Sequence, residues 1–278
     1  MHPELERLHR DFGWTPDSHL TWDADRHIWV DVNREQSKSV YLDDTWRTMD
    51  DLLDESWWYR TRNVIIERAL RRAHVNGAIW DVGGGTGVVS KFLQSRERQV
   101  LGVEPSNAGA VMTAQRGVHS FCATLEQLGL PSESLNAVSM FDVLEHVDDR
   151  RSTLREVHRI LLPGGAFILT LPALMSLWSQ FDIDGGHYLR YNKKLIRREL
   201  ETQGFVVTRV GYFFVTTVVP LLLLRVLPYR LGLRRAVATS ETLSASGGLL
   251  GRLLARFEIS LALRLPIGSS LLVIATQR

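Results

Sequence analysis

Between residues 78 and 171, short runs of apolar residues alternate with stretches whose apolar positions recur at helical spacing. Residues 78–82, 99–103, 137–141 and 166–171 are too short for helices and almost unbroken in apolar character, which is the pattern of parallel strands buried on both faces. The periodic segments between them supply crossover helices, and the βαβ alternation predicts a doubly wound α/β sheet. Upstream, residues 54–73 carry a helical period: Trp57, Val64, Ile65 and Leu70 recur near 3.6 spacing, with Arg60, Arg62, Arg68, Arg71 and Arg72 between them. Downstream, residues 193–203 read as a helix stopped by Gly204, residues 205–212 as a strand, and residues 270–276 as the last strand. More than fifty residues separate those two strands, too many for a plain loop, so an insertion with its own structure is expected. Residues 1–53 hold four of the eight tryptophans (Trp14, Trp22, Trp29, Trp46) among many acids, without a sustained period. They are expected to form an irregular extension. The resulting division is an extension over 1–53, a core over 54–212, an apolar helical insertion over 213–268 and a last core strand over 269–278.

Composition narrows the function classes. The chain has 278 residues, 45% of them hydrophobic, enough to bury a sizeable core. With 33 Lys plus Arg against 31 Asp plus Glu, the net charge of +2 gives no argument for nucleic acid. Cys122 is the single cysteine, which excludes an internal disulfide and a thiolate metal centre and agrees with a reducing compartment. The first ten residues are charged every few positions and lack the apolar stretch of a signal peptide, so a cytoplasmic location is expected. Residues 210–224 carry no charge, but these fifteen residues include Gly211 and Pro220 and fall short of the roughly 20 that span a bilayer.

The sharpest local signal is the run Asp81-Val82-Gly83-Gly84-Gly85-Thr86-Gly87, a strand end followed by four glycines and a helical pattern. Such a turn lets a ligand approach the backbone closely. A dinucleotide loop needs a third glycine where Val88 stands if Gly83 and Gly85 are its first pair, which disfavours a nicotinamide oxidoreductase. The acid before the glycines suits a ligand with positive charge. Glu104 ends the next strand about 20 residues on, where a carboxylate can accept both ribose hydroxyls of an adenosine.

These residues resemble the class I S-adenosylmethionine-dependent methyltransferases. The resemblance extends to Phe141-Asp142-Val143-Leu144-Glu145-His146-Val147 after the fourth strand and to Leu161-Leu162-Pro163-Gly164-Gly165 before the fifth, and covers about residues 55–212 plus the last strand. Asn136 departs from the Asp that commonly precedes the fourth strand in that family. The resemblance implies a seven-stranded Rossmann-like sheet and S-adenosylmethionine as cofactor, with S-adenosylhomocysteine as product. It places Asp81 and the backbone of Gly83, Gly85 and Gly87 at the methionine end and Glu104 at the ribose. The Ala123-Thr124-Leu125 segment, with Thr124 and Leu125, would approach the adenine, and Phe141 and Asp142 would face the sulfonium. Residues 182–191 resemble an element lining the acceptor side in bacterial small-molecule and sugar-associated members. Glu55 to Arg62 resembles an aromatic-plus-arginine element that lids the cofactor pocket.

Methyl transfer asks the protein to align a nucleophile with an activated carbon and exclude water, and a hydroxyl nucleophile gains from a positioned base. The candidates are His187, His146 and Tyr191. A divalent metal on Asp142, Glu145, His146 and His187 is the weaker expectation, since Glu145 and His146, being adjacent, would not share one helix face, and no metal is assigned. The acceptor is expected to be a small molecule, a sugar or a lipid-linked compound, methylated on oxygen. The apolar run 213–224, followed by Arg225, Arg230, Arg234 and Arg235, suits a membrane-surface contact through residues 213–235, peripheral at the inner membrane face. A homodimer contact or a pocket roof is the competing reading, and residues 249–265 read as a second amphipathic helix. A non-catalytic scaffold of the same fold is the alternative in function, against which the retained Asp81, Gly85 and Glu104 weigh.

Overall fold

The computed structural model describes residues 3–12, 19–31, 56–233 and 248–278. Nine strands form one mixed sheet: β1 (Leu20–Asp23), β2 (Ile28–Asp31), β3 (Ile79–Val82), β4 (Val100–Val103), β5 (His119–Cys122), β6 (Leu135–Phe141), β7 (Leu161–Pro172), β8 (Val206–Phe213) and β9 (Ser270–Thr276). Their order across the sheet is β1-β2-β5-β4-β3-β6-β7-β9-β8. The strands from β2 to β7 run parallel, and β1, β9 and β8 enter antiparallel to their neighbours. The helices are α1 (Pro3–Phe12), α2 (Trp57–Arg72), α3 (Val88–Gln94), α4 (Asn107–Gln115), α5 (Arg150–Ile160), α6 (Gln180–Asp184), α7 (Lys193–Thr202), α8 (Val218–Leu221), α9 (Leu227–Arg230) and α10 (Leu249–Leu261).

The apolar runs are explained by two cores, because successive side chains of a strand point to opposite faces. On one face, Ile79, Val100, Ile168, Leu272 and Ile274 pack with Ile65, Ile66 and Leu70 of α2. On the other, Trp80, Leu101, Phe167, Leu271 and Val273 pack with Leu154 and Val157 of α5 and Ile196 of α7. A strand buried on both sides has no polar face to alternate with, hence the apolar character of β3 and β4, broken only by Asp81.

The structure corrects three expectations. The sheet has nine strands rather than seven, since residues 20–31, expected to be irregular, form a hairpin that pairs through Trp29 and Val30 with β5. Asp23 closes its turn by accepting the backbone N–H groups of Asp25 and Arg26 at 3.1 and 3.0 Å. Second, β5 itself was not singled out by hydrophobic pattern, although it completes the parallel set. Third, Arg62, assigned to a polar face of α2, is 5% exposed. Trp29 and Trp80 both stack on Phe121, with ring centroids 6.1 and 6.2 Å apart, so the added hairpin is joined to the central strands through aromatic packing. We expect Trp29→Ala to lower unfolding stability by about 3 to 5 kcal/mol. Chemical denaturation measures this, and an unchanged midpoint would show that the hairpin is dispensable to the core.

The long connection from β8 to β9 contains α8, a π-helical turn (Leu222–Val226), α9 and α10. Glu258 of α10, buried, accepts the backbone N–H groups of Val215 and Thr216 at 3.2 and 2.7 Å and the Thr216 hydroxyl at 2.5 Å. This fixes the start of the apolar segment against α10. No helix among the described residues is long and apolar enough to cross a membrane.

Candidate functional site

The carboxyl ends of the parallel strands converge on one edge of the sheet, where open α/β folds place their ligands. At the end of β3 the chain turns through Gly83, Gly85 and Gly87, with φ of 71°, 57° and 77°, a region that strains any side chain. Packing adds a second reason for glycine, since a Cβ at Gly87 would lie 2.8 Å from Thr113 Oγ1 and 2.9 Å from Thr113 Cα on α4. The Thr113 hydroxyl donates to the Gly85 carbonyl at 3.0 Å, tying the loop to α4.

Asp81 lies beneath this loop, buried. Its Oδ2 accepts from Ser90 Oγ at 2.5 Å and its Oδ1 from Ser139 Oγ at 2.9 Å. The carboxylate therefore braces β3 against α3 and β6, and its charge sits directly under the turn. Burial pushes its pKa up to about 6 against the opposing hydrogen bonds of Ser90 and Ser139 and the charge of Arg62. A carboxyl raised in the folded state holds its proton more tightly there than in the unfolded chain. Its contribution to stability is thus complete at low pH and is lost as pH rises through about 6. Asp81→Asn should flatten the decline in unfolding midpoint over that window, measured by thermal scans at stepped pH; parallel profiles for the two proteins would refute it.

Glu104, just past the end of β4, is also buried. Its two oxygens accept the backbone N–H groups of Gly85 at 2.9 Å and Ser106 at 2.8 Å, so this carboxylate is aimed across the mouth of the glycine loop. Gly109 permits the approach, because a Cβ there would lie 2.8 Å from Glu104 Cγ. Leu125 is buried in the core, and Thr124 is tied to Gln127 twice, its N–H donating to Gln127 Oε1 at 2.7 Å and its hydroxyl accepting from the Gln127 N–H at 3.4 Å. Phe141 belongs to the core beneath the edge. Asp142, with a φ of 58°, turns out of β6 and pairs with Arg62. Above that pair, the Arg62 guanidinium lies 4.9 Å from both the Trp58 and Tyr59 rings. The aromatic-plus-arginine element therefore reaches the sheet edge through Arg62 from α2; Glu55 lies outside the described residues.

Beyond Asp142, the histidines meet. The rings of His146 and His187 stand edge to face with centroids 4.6 Å apart. Burial, and next the neighbouring His187, lower the His146 pKa to about 4 against the carbonyls of Gly185 and Gly186, so His146 is neutral at pH 7. His187 Nδ1 lies 3.0 Å from Asp182 Oδ1, which also accepts from Arg190 Nε at 2.7 Å. Asp182 Oδ2 accepts from the Ser179 N–H at 2.9 Å. Burial alone would raise the Asp182 carboxyl, but the His187 hydrogen bond and the Arg190 charge outweigh it and hold it below the usual range. An ionised Asp182 can only accept, so His187 carries a proton on Nδ1, and in the neutral ring Nε2 is the acceptor.

Two expectations change here. Tyr191 is fully buried in the core cluster that holds Ile196 and Leu200, its hydroxyl without a hydrogen-bond partner, and it does not line the site. Burial, with the charge of Glu199, raises its pKa. Glu145 and His146, expected to diverge, instead lie in a 3₁₀ turn (Leu144–His146), and ligand atoms of Glu145, His146 and His187 all fall within 4.8 Å of one another. That spacing is close enough for one divalent ion. Burial, and then the Asp142 charge, raise the Glu145 carboxyl well above its usual range. Sequence reasoning did not single out Asp182, Ser90 or Ser139 as partners; each is an ordinary polar residue until the fold brings its histidine or carboxylate to it.

Residues 80–169 match the family described as "Methyltransferase domain". A "Probable S-adenosylmethionine-dependent methyltransferase" of Mycolicibacterium smegmatis is 28% identical over 165 residues, covering 58% of this chain and 64% of that one. A "Ubiquinone biosynthesis O-methyltransferase" of Bradyrhizobium sp. is 32% identical over 107 residues, covering 36% and 41%. The chain thus spans less than two thirds of the length of these curated relatives. Among solved structures, a SAM-dependent methyltransferase described as a "possible histamine N-methyltransferase" from Thermotoga maritima superposes with a TM-score of 0.58 at 17% identity, covering 84% of this chain and 95% of that one. The phosphoethanolamine N-methyltransferase 2 of Haemonchus contortus, in complex with S-adenosyl-L-methionine, gives 0.56 at 16% identity, covering 86% and 58%. The chain has the class I S-adenosylmethionine-dependent methyltransferase fold, with a methyltransferase domain over residues 80–169. S-adenosylmethionine is the cofactor its glycine loop and paired acids fit, a cradle shaped by left-handed glycines with carboxylates rather than cations at both strand ends.

Proposed function

We propose that the chain transfers a methyl group from S-adenosylmethionine to an oxygen of a small-molecule, sugar or lipid-linked acceptor, with His187 as general base. The observation that carries the reading is the placement of a base at the end of β6: the His187 ring stands edge to face with His146, centroids 4.6 Å apart, while its Nδ1 lies 3.0 Å from the buried Asp182. Bound at the glycine loop, S-adenosylmethionine supplies a methyl group on a sulfonium, already activated for displacement. Gly83, Gly85 and Gly87 give it backbone, Glu104 takes the ribose hydroxyls, and the 123–125 segment borders the adenine. Asp142 and the Arg62 beside it lie at the methionine end, where the guanidinium can meet a carboxylate. Nε2 of His187 accepts the acceptor's hydroxyl proton while Asp182 stabilises the imidazolium that results. His146, neutral and held by the Gly185 and Gly186 carbonyls, positions the His187 ring rather than moving a proton.

The acceptor end is apolar. Phe181 (49% exposed) and Tyr188 flank His187, and Leu223 (59%), Leu224 and Leu227 stand out from the insertion beside Arg225 and Arg230. This supports an amphipathic acceptor and a membrane-surface contact in preference to a dimer contact; Arg234 and Arg235 lie outside the described residues. Incubation with methyl-labelled S-adenosylmethionine and a cell extract, partitioned between organic solvent and water, should leave label in the organic phase. Label in water alone would make the acceptor polar, and none in either would favour a non-catalytic scaffold. Leu223→Glu with Leu227→Glu should reduce co-sedimentation with phosphatidylglycerol vesicles, and absence of sedimentation by the parent protein would end the membrane reading.

A further inference from the structure

Arg225 lies in the π-helical turn Leu222–Val226, between the four-residue helices α8 and α9. Such turns break the regular helical spacing and frequently occur at functional sites. Here the side chain stacks on Phe181, with its guanidinium carbon 4.1 Å from the ring centroid. Phe181 in turn stands edge-on to His187, centroids 6.5 Å apart. Arg225 is therefore one aromatic ring away from the proposed base. Its Nε is shielded from water and has no hydrogen-bond partner, and among the described residues no carboxylate lies within ion-pairing distance of it.

The charges around it do not cancel. Asp182 is the nearby buried acid, and its oxygens are already taken by Arg190, His187 and Ser179. Asp184 Oδ1 accepts from Gln180 at 2.8 Å on the exposed side of α6. Two guanidiniums, Arg190 and Arg225, thus share one carboxylate that only Arg190 touches. Burial and the proximity of Arg190 lower the Arg225 pKa to about 10, which leaves it charged at neutral pH. A half-buried, charged guanidinium with an unsatisfied N–H is costly to keep unless a ligand completes it. Its planar fork suits an oxyanion, and the exposed Leu223, Leu224 and Leu227 on the same helical segment suit an apolar chain extending from that anion.

We propose that Arg225 binds an oxyanion, a phosphate or carboxylate, carried by the methyl acceptor, with the acceptor's apolar part lying along the exposed leucines. This rests on the acceptor site proposed above, which it makes specific for anionic amphiphiles. The test is calorimetric titration with decyl phosphate, decyl glucoside and inorganic phosphate below micelle concentrations, with S-adenosylhomocysteine titrated in every sample. Decyl phosphate should bind at least about tenfold more tightly than decyl glucoside, the equivalent of one charge-assisted hydrogen bond. That preference should vanish in Arg225→Met and fall to an intermediate value in Arg225→Lys, which keeps the charge but not the fork. S-adenosylhomocysteine binding should be the same in all three proteins, which also shows that the variants fold. Equal affinity for the two amphiphiles, or a preference that survives Arg225→Met, would overturn the assignment. Inorganic phosphate binding as tightly as decyl phosphate would overturn it too, because the site would then serve a free anion. Failure of the parent protein to bind S-adenosylhomocysteine would instead remove the methyltransferase reading on which the assignment stands.

Discussion

Glu104→Ala should weaken S-adenosylhomocysteine binding by roughly 10²- to 10⁴-fold, because it removes two hydrogen bonds to a charged group, each worth about 1.5 to 3 kcal/mol. The carboxylate already accepts from the Gly85 and Ser106 N–H groups. On the proposed ribose assignment, Glu104 would serve the loop and the cofactor at once. Glu104→Gln separates the two roles: it keeps one acceptor oxygen and the shape, loses the charge, and should fall between parent and alanine variant. Calorimetric titration measures both. Parent-like affinity in Glu104→Ala would remove the ribose assignment, and a loss matched by a falling unfolding midpoint would mean that the residue acts only by holding Gly85.

How much of this was legible beforehand depended on the physical reach of each signal. The strands β3, β4, β6 and β9 are buried on both faces, so their apolar runs stand out against any neighbour. The glycine loop was legible for a similar reason, because left-handed turns and the close approach of Thr113 leave few other residues possible. β1 and β2 were not, because four residues are too few to establish alternation and their tryptophans face partners, Phe121 among them, distant in sequence. Tyr191 misled in the opposite direction. Its neighbours Gly186, His187 and Arg190 reach the site, but the bridge between Ala173 and Tyr191 turns that ring into the core. Arg62 and Arg225 show the same limit, since an arginine in an amphipathic pattern reads as solvated until an acid or an aromatic ring is seen beneath it. The site's carboxylates were thus readable from position in the motif, whereas what each charge touches was not.

Asp182→Asn should lower kcat by about 10²- to 10⁴-fold, the range a positioned base contributes, while leaving S-adenosylhomocysteine affinity unchanged. The argument is one of proton placement. Asp182 Oδ1 accepts from His187 Nδ1 at 3.0 Å and from Arg190 Nε at 2.7 Å, which holds the imidazole in the tautomer whose Nε2 is unprotonated. An asparagine can keep its oxygen on both Arg190 Nε and His187 Nδ1, but it sets an NH2 group against the Ser179 N–H and, being uncharged, no longer stabilises the imidazolium. Two readouts separate this role from a merely structural one, which matters because Asp182 also accepts from the Ser179 N–H at the start of α6. First, the loss should fall on kcat rather than on KM for the cofactor. Second, His187→Gln should reduce kcat to a similar level, with no further loss when the two changes are combined, since the pair acts as a unit. If Asp182→Asn kept the parent's kcat, the carboxylate would be a cap for α6 and the base would have to be sought elsewhere on the same edge.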